Sequence, residues 1–463
     1  MPQLVSDDHS NPEIAGTATA DFQSLTCIFS YNKLIMLRNR KIHLYITILT
    51  CLILCPPVPA AIGQKGKEPE SRIRLVHAID SILQGQVDDN LIPGAVVLVA
   101  KDGETVYQQA FGYARKYNYG HIPANPPEQM TSGHLFDLAS LTKVIGTTTS
   151  IMLLADRGCL KIDDQVCSFV RAFDTPEKRT ITIRQLLTHT AGLREWYPLY
   201  YLASDRQECF RVIASLPLRY PPGLERRYSD LGFIILGQII ETISGMPLES
   251  FMEQNIFRPL GMTNTTYNPL INGRFRDIVS TSEGNPYEKR MVYDPSLGFT
   301  VKDIDPDSWN GWRHYVLRGE VNDGNAWYAC GGVSGAAGLF STADDLQKLV
   351  NMLLRRGKSG EMQFLSEQIV GLFLTQDKFR NGLGWMMDPG DSFMKDAPAG
   401  SFGHTGFTGT SIVVVPRSGA SVILLINRQN EGLSENGNYY NVTPVREKVF
   451  GAVMKYLHEE EGN

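Results

Sequence analysis

Three short polar motifs occur in a fixed order along this chain of 463 residues. They are Ser140-Leu141-Thr142-Lys143, then Tyr228-Ser229-Asp230, and finally His404-Thr405-Gly406. The motifs are separated by 88 and 176 positions, so no local geometry can bring them together. If they act jointly, the fold must make three distant segments converge on one cleft.

The first motif carries the chemistry of an activated nucleophile. It opens an apolar helical pattern that continues from Asp137 to a stop at Gly158. Residues three apart share a helix face, so the Ser140 hydroxyl and the Lys143 amine are expected to lie within reach of each other. The free N–H groups and the dipole of a helix start would also favour a developing oxyanion.

Ser-x-x-Lys is a short pattern, and it also occurs at Ser30 and Ser392. A helix-capping serine beside a solvated lysine is the commoner meaning of such a pattern. Nothing like the second motif separates Ser392 from His404, and Ser30 lies before a predicted cleavage site. We therefore predict that Ser140 is the functional copy.

The two ends of the chain carry strand patterns next to helical ones. A helical pattern starts at Arg72, and residues 95–100 form an apolar run before the hairpin signal Asp102-Gly103. A loop rich in Pro and polar residues follows. Near the other end, residues 411–426 predict a strand pair and residues 445–457 a terminal helix.

These patterns predict an α+β fold in which an antiparallel β-sheet is flanked by N- and C-terminal helices and a mostly helical domain is inserted. The sheet part would comprise residues 70–135 and 331–463, and the helical part residues 140–330. Between residues 278 and 325 the periodicity dissolves into Pro, Gly, Trp and Tyr. That stretch is either a long ordered loop over a cleft or a loosely packed insertion.

Composition limits the classes of function. With 43% apolar residues the chain can bury a large core, and its net charge of −5 argues against a nucleic-acid partner. No Cys-x-x-Cys or His-Glu-x-x-His pattern occurs, so we expect neither a metal site nor another cofactor. Cys159 and Cys167 could form a disulfide in an oxidising compartment, although buried free thiols fit equally well.

Residues 1–61 read as an upstream segment followed by a secretory signal peptide from about Met36 to Ala60. A basic run at residues 38–41 precedes a short apolar stretch and a small-residue cleavage site, which is the order typical of such signals. We therefore expect a secreted or periplasmic protein whose first natural residue is Met36. An uncleaved anchor is the alternative, in which residues 42–55 would tether the protein to a membrane.

The ordered motifs resemble those of the serine β-lactamase and penicillin-binding-protein superfamily, in the branch that holds class C β-lactamases, D,D-carboxypeptidases and related esterases. The resemblance covers roughly residues 75–455 and includes supporting phrases such as residues 186–193 and 259–262. Residues 319–326 and the glycine-rich run after them look closest to the periplasmic penicillin-binding protein 4B type.

The resemblance implies roles for individual residues. Ser140 would be acylated, Lys143 and Tyr228 would share the role of general base, and the N–H groups of Ser140 and Phe407 would form an oxyanion hole. The remaining positions, Asp230, His404, Thr405, Gly406 and Phe407, would bind substrate. We expect His189 to be a helix-end histidine, and the glycine run at residues 331–338 to allow close packing beside the cleft.

Two positions depart from the family pattern. The second motif most often ends in Asn, and Asp230 stands there; its charge would hold the Lys143 amine protonated and shift the base role towards Tyr228. The third motif usually opens with Lys, and His404 stands there. It would be a cation only below about pH 6.5 unless its environment shifts that value.

These features together predict a serine hydrolase that acts on D-amino-acid peptides of the cell-wall type or on small esters. Peptidoglycan would be its macromolecular partner. A non-catalytic relative that binds peptidoglycan or a partner protein is one alternative, and a weak β-lactamase is another.

Overall fold

A computed structural model describes residues 69–462 of the protein, and its secondary structure is mixed. The predicted signal peptide and tether lie outside these residues. Within them the strands are β1 (Gly94–Lys101), β2 (Glu104–Asn118), β3 (Ile122–Gln129), β4 (Phe136–Asp137), β5 (Thr266–Tyr267), β6 (Ser280–Glu283), β7 (Val316–Arg318), β8 (Leu339–Ser341), β9 (Lys358–Ser359), β10 (Met362–Gln363), β11 (Phe402–Thr405), β12 (Ser411–Val415) and β13 (Ala420–Ile426).

The same part of the chain forms α-helices and three π-helical segments. The α-helices are α1 (Glu70–Asp88), α2 (Thr149–Asp156), α3 (Ile183–Leu187), α4 (Arg206–Ser215), α5 (Asp230–Ser244), α6 (Leu248–Met252), α7 (Pro286–Tyr293), α8 (Ala343–Leu354), α9 (Glu367–Phe373) and α10 (Thr443–Glu461). The π-helical segments are Lys143–Thr148, Glu253–Phe257 and Asn325–Ala329.

The main sheet joins strands from the two ends of the described chain. Its order is β11-β12-β13-β1-β2-β3, and every neighbouring pair is antiparallel. In the central pair, Ala95 lies opposite Ile426. The β1–β2 turn has positive φ at Asp102 (54°) and Gly103 (87°), as a two-residue hairpin of this type requires. The predicted α+β fold is confirmed.

Each face of the main sheet packs on helices. On one face α1 and α10 lie together against the sheet. Every second residue of a strand points to this face, and those side chains pack on the two helices. The other face, through Val96, Leu98, Ile423 and Leu425, joins a larger core built with the inserted helices. The terminal-helix side is lined by Leu75, Ile79, Leu83, Val97, Val99, Val422, Leu424, Val445, Val449 and Val453.

The Pro-rich stretch before the first motif is a strand, which corrects the loop expected there. Residues 122–129 form β3 at the edge of the sheet, where Pro123 lies opposite Tyr117. An edge strand tolerates proline because the missing N–H can fall on the side that has no neighbour. The register shifts twice along the pair, between Tyr113 and Arg115 and between Arg115 and Tyr117.

The helix that follows Ser140 is not uniformly α-helical, contrary to the sequence prediction. Residues 143–148 form a π-helical segment before α2 begins at Thr149. Hydroxyl groups compete for the helix carbonyls here, since Thr149 Oγ1 donates to Val144 O at 3.0 Å and Ser150 Oγ to Gly146 O at 2.8 Å. Such wide turns recur at functional sites.

The inserted part is mostly helical but also contains the short strands β5, β6 and β7, which the sequence did not indicate. Between residues 278 and 325 the chain is ordered through β6, α7 and β7 and supplies one wall of the main cavity. Within residues 69–462 no single helix is long and apolar enough to cross a membrane. The bent pair α5 and Leu248–Phe257 meets that test by length and composition alone.

The cysteines differ from the expected arrangement. Cys159 is exposed and Cys167 half-buried, and both are free thiols, so neither of them is buried. Cys209 and Cys330 are buried instead, and their sulfur atoms lie 3.7 Å apart.

Candidate active site

All three motifs line one cavity of about 550 Å³. Each of the eight residues predicted for the site contributes to its wall, namely Ser140, Lys143, Tyr228, Asp230, His404, Thr405, Gly406 and Phe407. The inserted part closes the other side of the cavity with residues from α7 and from the stretch after β7. The structure therefore brings the distant segments together as the sequence required.

The turn that presents Ser140 is held by Asp137 at the end of β4. The Asp137 carboxylate accepts the N–H of Ala139 at 2.8 Å and the N–H of Asn322 at 2.6 Å. Ala139 has a positive φ of 45°, a strained value for a residue with a side chain. Burial raises the pKa of Asp137 to about 6, and the two N–H groups oppose that rise. This buried carboxylate thus fixes the backbone immediately before the nucleophile.

The Lys143 ammonium has an acceptor for each of its three N–H bonds. Its Nζ lies 3.0 Å from Ser140 Oγ, 3.0 Å from Ala336 O and 2.7 Å from Asp230 Oδ1. Burial disfavours the charged form, but the charges of Asp230 and Tyr228 outweigh it and raise the pKa of Lys143. The amine is therefore protonated and donates to Ser140.

Tyr228 stands next to the Ser140–Lys143 pair, just before α5. Its ring centroid lies 5.1 Å from Lys143 Nζ. Burial raises the pKa of Tyr228, while the Lys143 charge and hydrogen bonding to Ser140 and Lys143 pull it down. His189, at the end of α3, packs on the tyrosine ring at 4.4 Å and accepts the N–H of Ser229 at 3.0 Å through Nδ1. His189 thus positions the second motif, which agrees with its expected role as a helix-end histidine.

His404 is a neutral acceptor, in contrast to the titratable cation that its ordinary pKa suggested. Only 1% of the residue is exposed, and burial, helped by the Lys143 charge, lowers its pKa to about 3. Nδ1 lies 2.8 Å from Thr405 O, so Nδ1 carries the proton and Nε2 holds a lone pair. Nε2 is buried and has no hydrogen-bond partner among residues 69–462.

Two residues of the cavity wall have backbone N–H groups without partners in residues 69–462. In the described part of the chain, neither Ser140 N–H nor Phe407 N–H makes a hydrogen bond. The turn that carries Phe407 is tied to the nucleophile turn, because Thr408 Oγ1 donates to Asp137 O at 2.7 Å and Thr410 Oγ1 to Leu138 O at 3.1 Å. A Cβ on Gly406 would collide with Leu138 O, so this close approach requires glycine.

The sequence did not indicate two arginines of the cavity wall. Arg446, in the first turn of α10, donates to Thr410 O at 2.9 Å, and burial lowers its pKa to about 9. Arg428 donates to Phe407 O at 3.0 Å and lies over the Phe407 ring. No carboxylate lies within 4 Å of either guanidinium in residues 69–462, so their partners are backbone carbonyls and neither charge is neutralised by an ion pair.

Two carboxyl groups were missed as well. Glu288 on α7 and Asp323 after β7 line the same cavity from the inserted part. Glu288 belongs to no local motif, and its only signal was the ordered loop expected over the cleft. Asp323 lies in the family-like stretch of residues 319–326, although no sequence pattern placed it in the site. The carbonyl of Ala336, in the glycine run, is a further contact to Lys143, and Gly335 packs directly on Phe233 O. The run thus combines the expected close packing with a role in the site.

Among the described residues, no group of three or more His, Cys, Asp or Glu side chains is arranged to hold a metal ion. The polar groups of the cavity instead form pairs suited to proton transfer and to charge recognition.

Comparisons with known proteins agree with this geometry. A family model described as Beta-lactamase matches residues 79–445. The chain is 30% identical over 446 residues to a protein of Escherichia coli (strain K12) named, provisionally, as a D-alanyl-D-alanine carboxypeptidase; the match covers 91% of this chain and 99% of the relative.

Solved structures show the same fold. A penicillin-binding protein homologue from Caulobacter crescentus has a TM-score of 0.61 at 19% identity, covering 84% of this chain and 98% of that one. EstCE1, described as a hydrolase with promiscuous acyltransferase activity, also has a TM-score of 0.61, at 22% identity, with coverage of 83% and 100%.

Proposed function

This chain belongs to the Beta-lactamase family of serine hydrolases, and from that premise we propose that it forms an acyl-enzyme at Ser140 and acts on D-amino-acid peptides of the cell-wall type. The observation that carries the proposal is the placement of one hydroxyl beside a protonated amine, a phenol and two free backbone N–H groups. Those are the components that acyl transfer requires.

In the proposed acylation, Ser140 Oγ attacks the carbonyl carbon of the scissile bond and loses its proton. The Lys143 amine cannot accept that proton, because it is held in the protonated form and an ammonium has no lone pair. Tyr228 accepts it as phenolate; burial raises the pKa of this phenol, and the adjacent Lys143 ammonium opposes that rise. The phenol then returns a proton to the leaving amine as the C–N bond breaks.

Charge on the tetrahedral intermediate would be stabilised by the N–H groups of Ser140 and Phe407. They are already oriented by the hydrogen bonds that join their two turns, so little reorganisation accompanies the reaction. In deacylation a water molecule attacks the acyl-enzyme and Tyr228 accepts its proton. When the ester bond breaks, Tyr228 returns that proton to Ser140 Oγ, which restores the hydroxyl and the phenolate.

The two cavity arginines, which form no ion pair within residues 69–462, favour a substrate that ends in a carboxylate. Arg446 and Arg428 take the place of the cation that His404 does not supply, since His404 is neutral near pH 7. A C-terminal D-amino acid offers such a carboxylate, and guanidinium groups bind carboxylates well. The same feature favours a weak β-lactamase as the second candidate, because β-lactams also carry a carboxylate. Small esters without one would be poorer substrates.

Labelling with a fluorophosphonate and with a fluorescent penicillin tests the nucleophile. We expect one label per chain in the natural protein, none in Ser140→Ala, and full labelling in the control Ser215→Ala, whose serine lies outside the cavity. Release of D-alanine from a D-Ala-D-Ala peptide is then compared with hydrolysis of a nitrophenyl ester. Persistent labelling of Ser140→Ala would reject Ser140 as the nucleophile. No labelling by either probe would favour the non-catalytic, peptidoglycan-binding alternative.

We also propose export to the periplasm or the medium, which a cell-wall substrate requires, directed by residues Met36–Ala60. N-terminal sequencing of the mature protein tests this proposal. A first residue near 61 supports cleavage, whereas a membrane-bound form that retains residues 42–55 indicates the tether.

A further inference from the structure

Asp137 lies outside the three motifs, yet it is hydrogen-bonded to both turns whose N–H groups, those of Ser140 and Phe407, are unpaired in residues 69–462. Its carboxylate accepts the N–H of Ala139 at 2.8 Å, and its backbone oxygen accepts the Thr408 hydroxyl at 2.7 Å. The second contact spans 271 positions of the chain. Only 1% of Asp137 is exposed, so one buried residue joins the two turns.

The side chain of Asp137 accepts two backbone N–H groups, one on each oxygen. Oδ1 accepts the N–H of Ala139, and Oδ2 accepts the N–H of Asn322 at 2.6 Å. A carboxylate can do so because both of its oxygens are acceptors, whereas an asparagine side chain offers one oxygen and one NH2 donor. With a pKa of about 6, the carboxyl is mainly ionised near pH 7. An amide of the same size would therefore leave one buried N–H opposite a donor.

The hydrogen bond to Ala139 acts on the backbone that orients the nucleophile. Ala139 has a φ of 45°, which a residue with a side chain adopts rarely and glycine adopts freely. Rotation about the Ala139 backbone turns the peptide plane that carries the Ser140 N–H. On the other side, the N–H of Leu138 is anchored to Leu339 O at 2.9 Å. The Asp137 carboxylate is therefore the side chain that holds Ala139 in this conformation.

The hydrogen bond to Asn322 ties the same carboxylate to the cavity wall that the inserted part supplies. Asn322 lines that wall, where its Oδ1 accepts Gln429 Nε2 at 3.1 Å and its Nδ2 donates to Ser282 Oγ at 2.6 Å. Asn322 lies 185 positions after Asp137 in the chain. The turn before the nucleophile is thus held against several distant segments at once.

We propose that Asp137 is a positioning residue for acyl transfer, whose carboxylate and backbone oxygen keep the N–H groups of Ser140 and Phe407 in one fixed relative position for the oxyanion. The inference rests on the proposed function, and it concerns a residue that acts through its neighbours. Preorganised donors stabilise the charge that develops in the transition state, and a misplacement of about 1 Å can cost about 100-fold in rate. The loss should therefore appear in the chemical step and not in binding.

The test measures how the labelling rate of the full-length protein depends on fluorophosphonate concentration, which separates the rate constant at saturation from the affinity for the reagent. Asp137→Asn should lower the rate constant at saturation by about 100-fold and leave the affinity within about 3-fold of the natural value. Thr408→Val removes only the hydroxyl that binds Asp137 O, and it should lower the same constant by about 10-fold. Circular dichroism and thermal unfolding establish that each variant is folded at the assay temperature.

A rescue variant and a matched control separate positioning from stability. Adding Ala139→Gly to Asp137→Asn should recover the rate by about 10-fold or more, because glycine adopts the positive φ without the carboxylate. A role in stability alone would not give this recovery, since glycine makes the unfolded chain more flexible. Asp345 is also a buried carboxylate that accepts a backbone N–H, that of Asn264 at 2.5 Å, but it lies outside the cavity. Asp345→Asn should lose stability and still label at the natural rate.

A folded Asp137→Asn or Thr408→Val variant that labels at the natural rate would overturn the proposal. So would a loss that Ala139→Gly does not relieve, or a loss that lies wholly in the affinity for the reagent. If Asp137→Asn does not fold, Thr408→Val decides the question. Failure of the proposed function shows separately, because absence of labelling in the natural protein would reject that function and this inference with it.

Discussion

Replacing Asp230 with Asn should shift the pH dependence of acylation to lower pH. The Asp230 carboxylate lies 2.7 Å from Lys143 Nζ, and its charge raises the pKa of both Lys143 and Tyr228. The substitution keeps the size of the side chain and an oxygen acceptor but removes the charge. Both candidate bases should then lose a proton more easily, so the expected direction does not depend on which of them acts.

The size of the shift follows from the geometry of the ion pair. Two unit charges 2.7 Å apart interact by about 6 kcal/mol at an effective dielectric constant of about 20. Solvent reaches 24% of the Asp230 side chain, and the amide oxygen retains part of the hydrogen bond, so we take about half of that energy. At about 1.4 kcal/mol per pH unit, that energy corresponds to a fall of about 2 units in the pKa of Lys143, which is the upper limit for the shift of the rate profile when Tyr228 is the base.

The assay is the second-order rate of fluorophosphonate labelling, measured across the alkaline range for the natural protein and for Asp230→Asn. The rate rises with pH as the base loses its proton, and the midpoint of that rise is the quantity compared. Asp163→Asn is the matched control, since Asp163 pairs with Arg184 at 2.6 Å on the exposed surface. An unchanged midpoint, or a move to higher pH, would refute the idea that Asp230 keeps the base protonated.

Three further predictions follow from the packing. Gly335→Ala places a Cβ against Phe233 O and should lower the free energy of unfolding by about 1–3 kcal/mol. The control Gly451→Ala should be neutral or slightly stabilising, because Gly451 lies on α10 with open space around it. Thermal unfolding compares the two variants. The imidazole of His404, with its pKa near 3, should stay neutral in nitrogen NMR spectra between about pH 5 and 8, and titration near pH 6.5 would contradict its burial. Oxidation by glutathione disulfide should link Cys209 to Cys330. Mass spectrometry should detect the link as one disulfide-bonded peptide pair, which should be absent in Cys330→Ser. A link between Cys159 and Cys167 instead would be inconsistent with the structure.

Much of the fold could be predicted from patterns that are local in sequence. The Asp102-Gly103 turn, the helix over residues 230–244 and its end at Gly245, with a φ of 66°, all depend on residues a few positions apart. Ser140 and Lys143 are close for the same reason, since they lie three positions apart at the start of a helix. The order of the three motifs indicated the family, and the family model confirms it.

Other features arise only when distant segments meet. The strand β3 exists because β2 supplies its partner, although its prolines argue against a strand. Further charged groups in the cavity wall come from residues outside the three motifs: Glu288 and Asp323 from the inserted part, and Arg428 and Arg446 from the end of the chain.

The sequence alone determined which reactive groups are present, because a residue's type decides whether it can be nucleophile, base or acid. Their protonation depends on the tertiary structure. Burial makes His404 neutral, and an ion pair with Asp230 keeps Lys143 charged. The two motifs that supply this ion pair are far apart in the chain, since 88 positions separate Tyr228 from Ser140. Desolvation and neighbouring charges are properties of the folded surroundings, so only the structure could decide them.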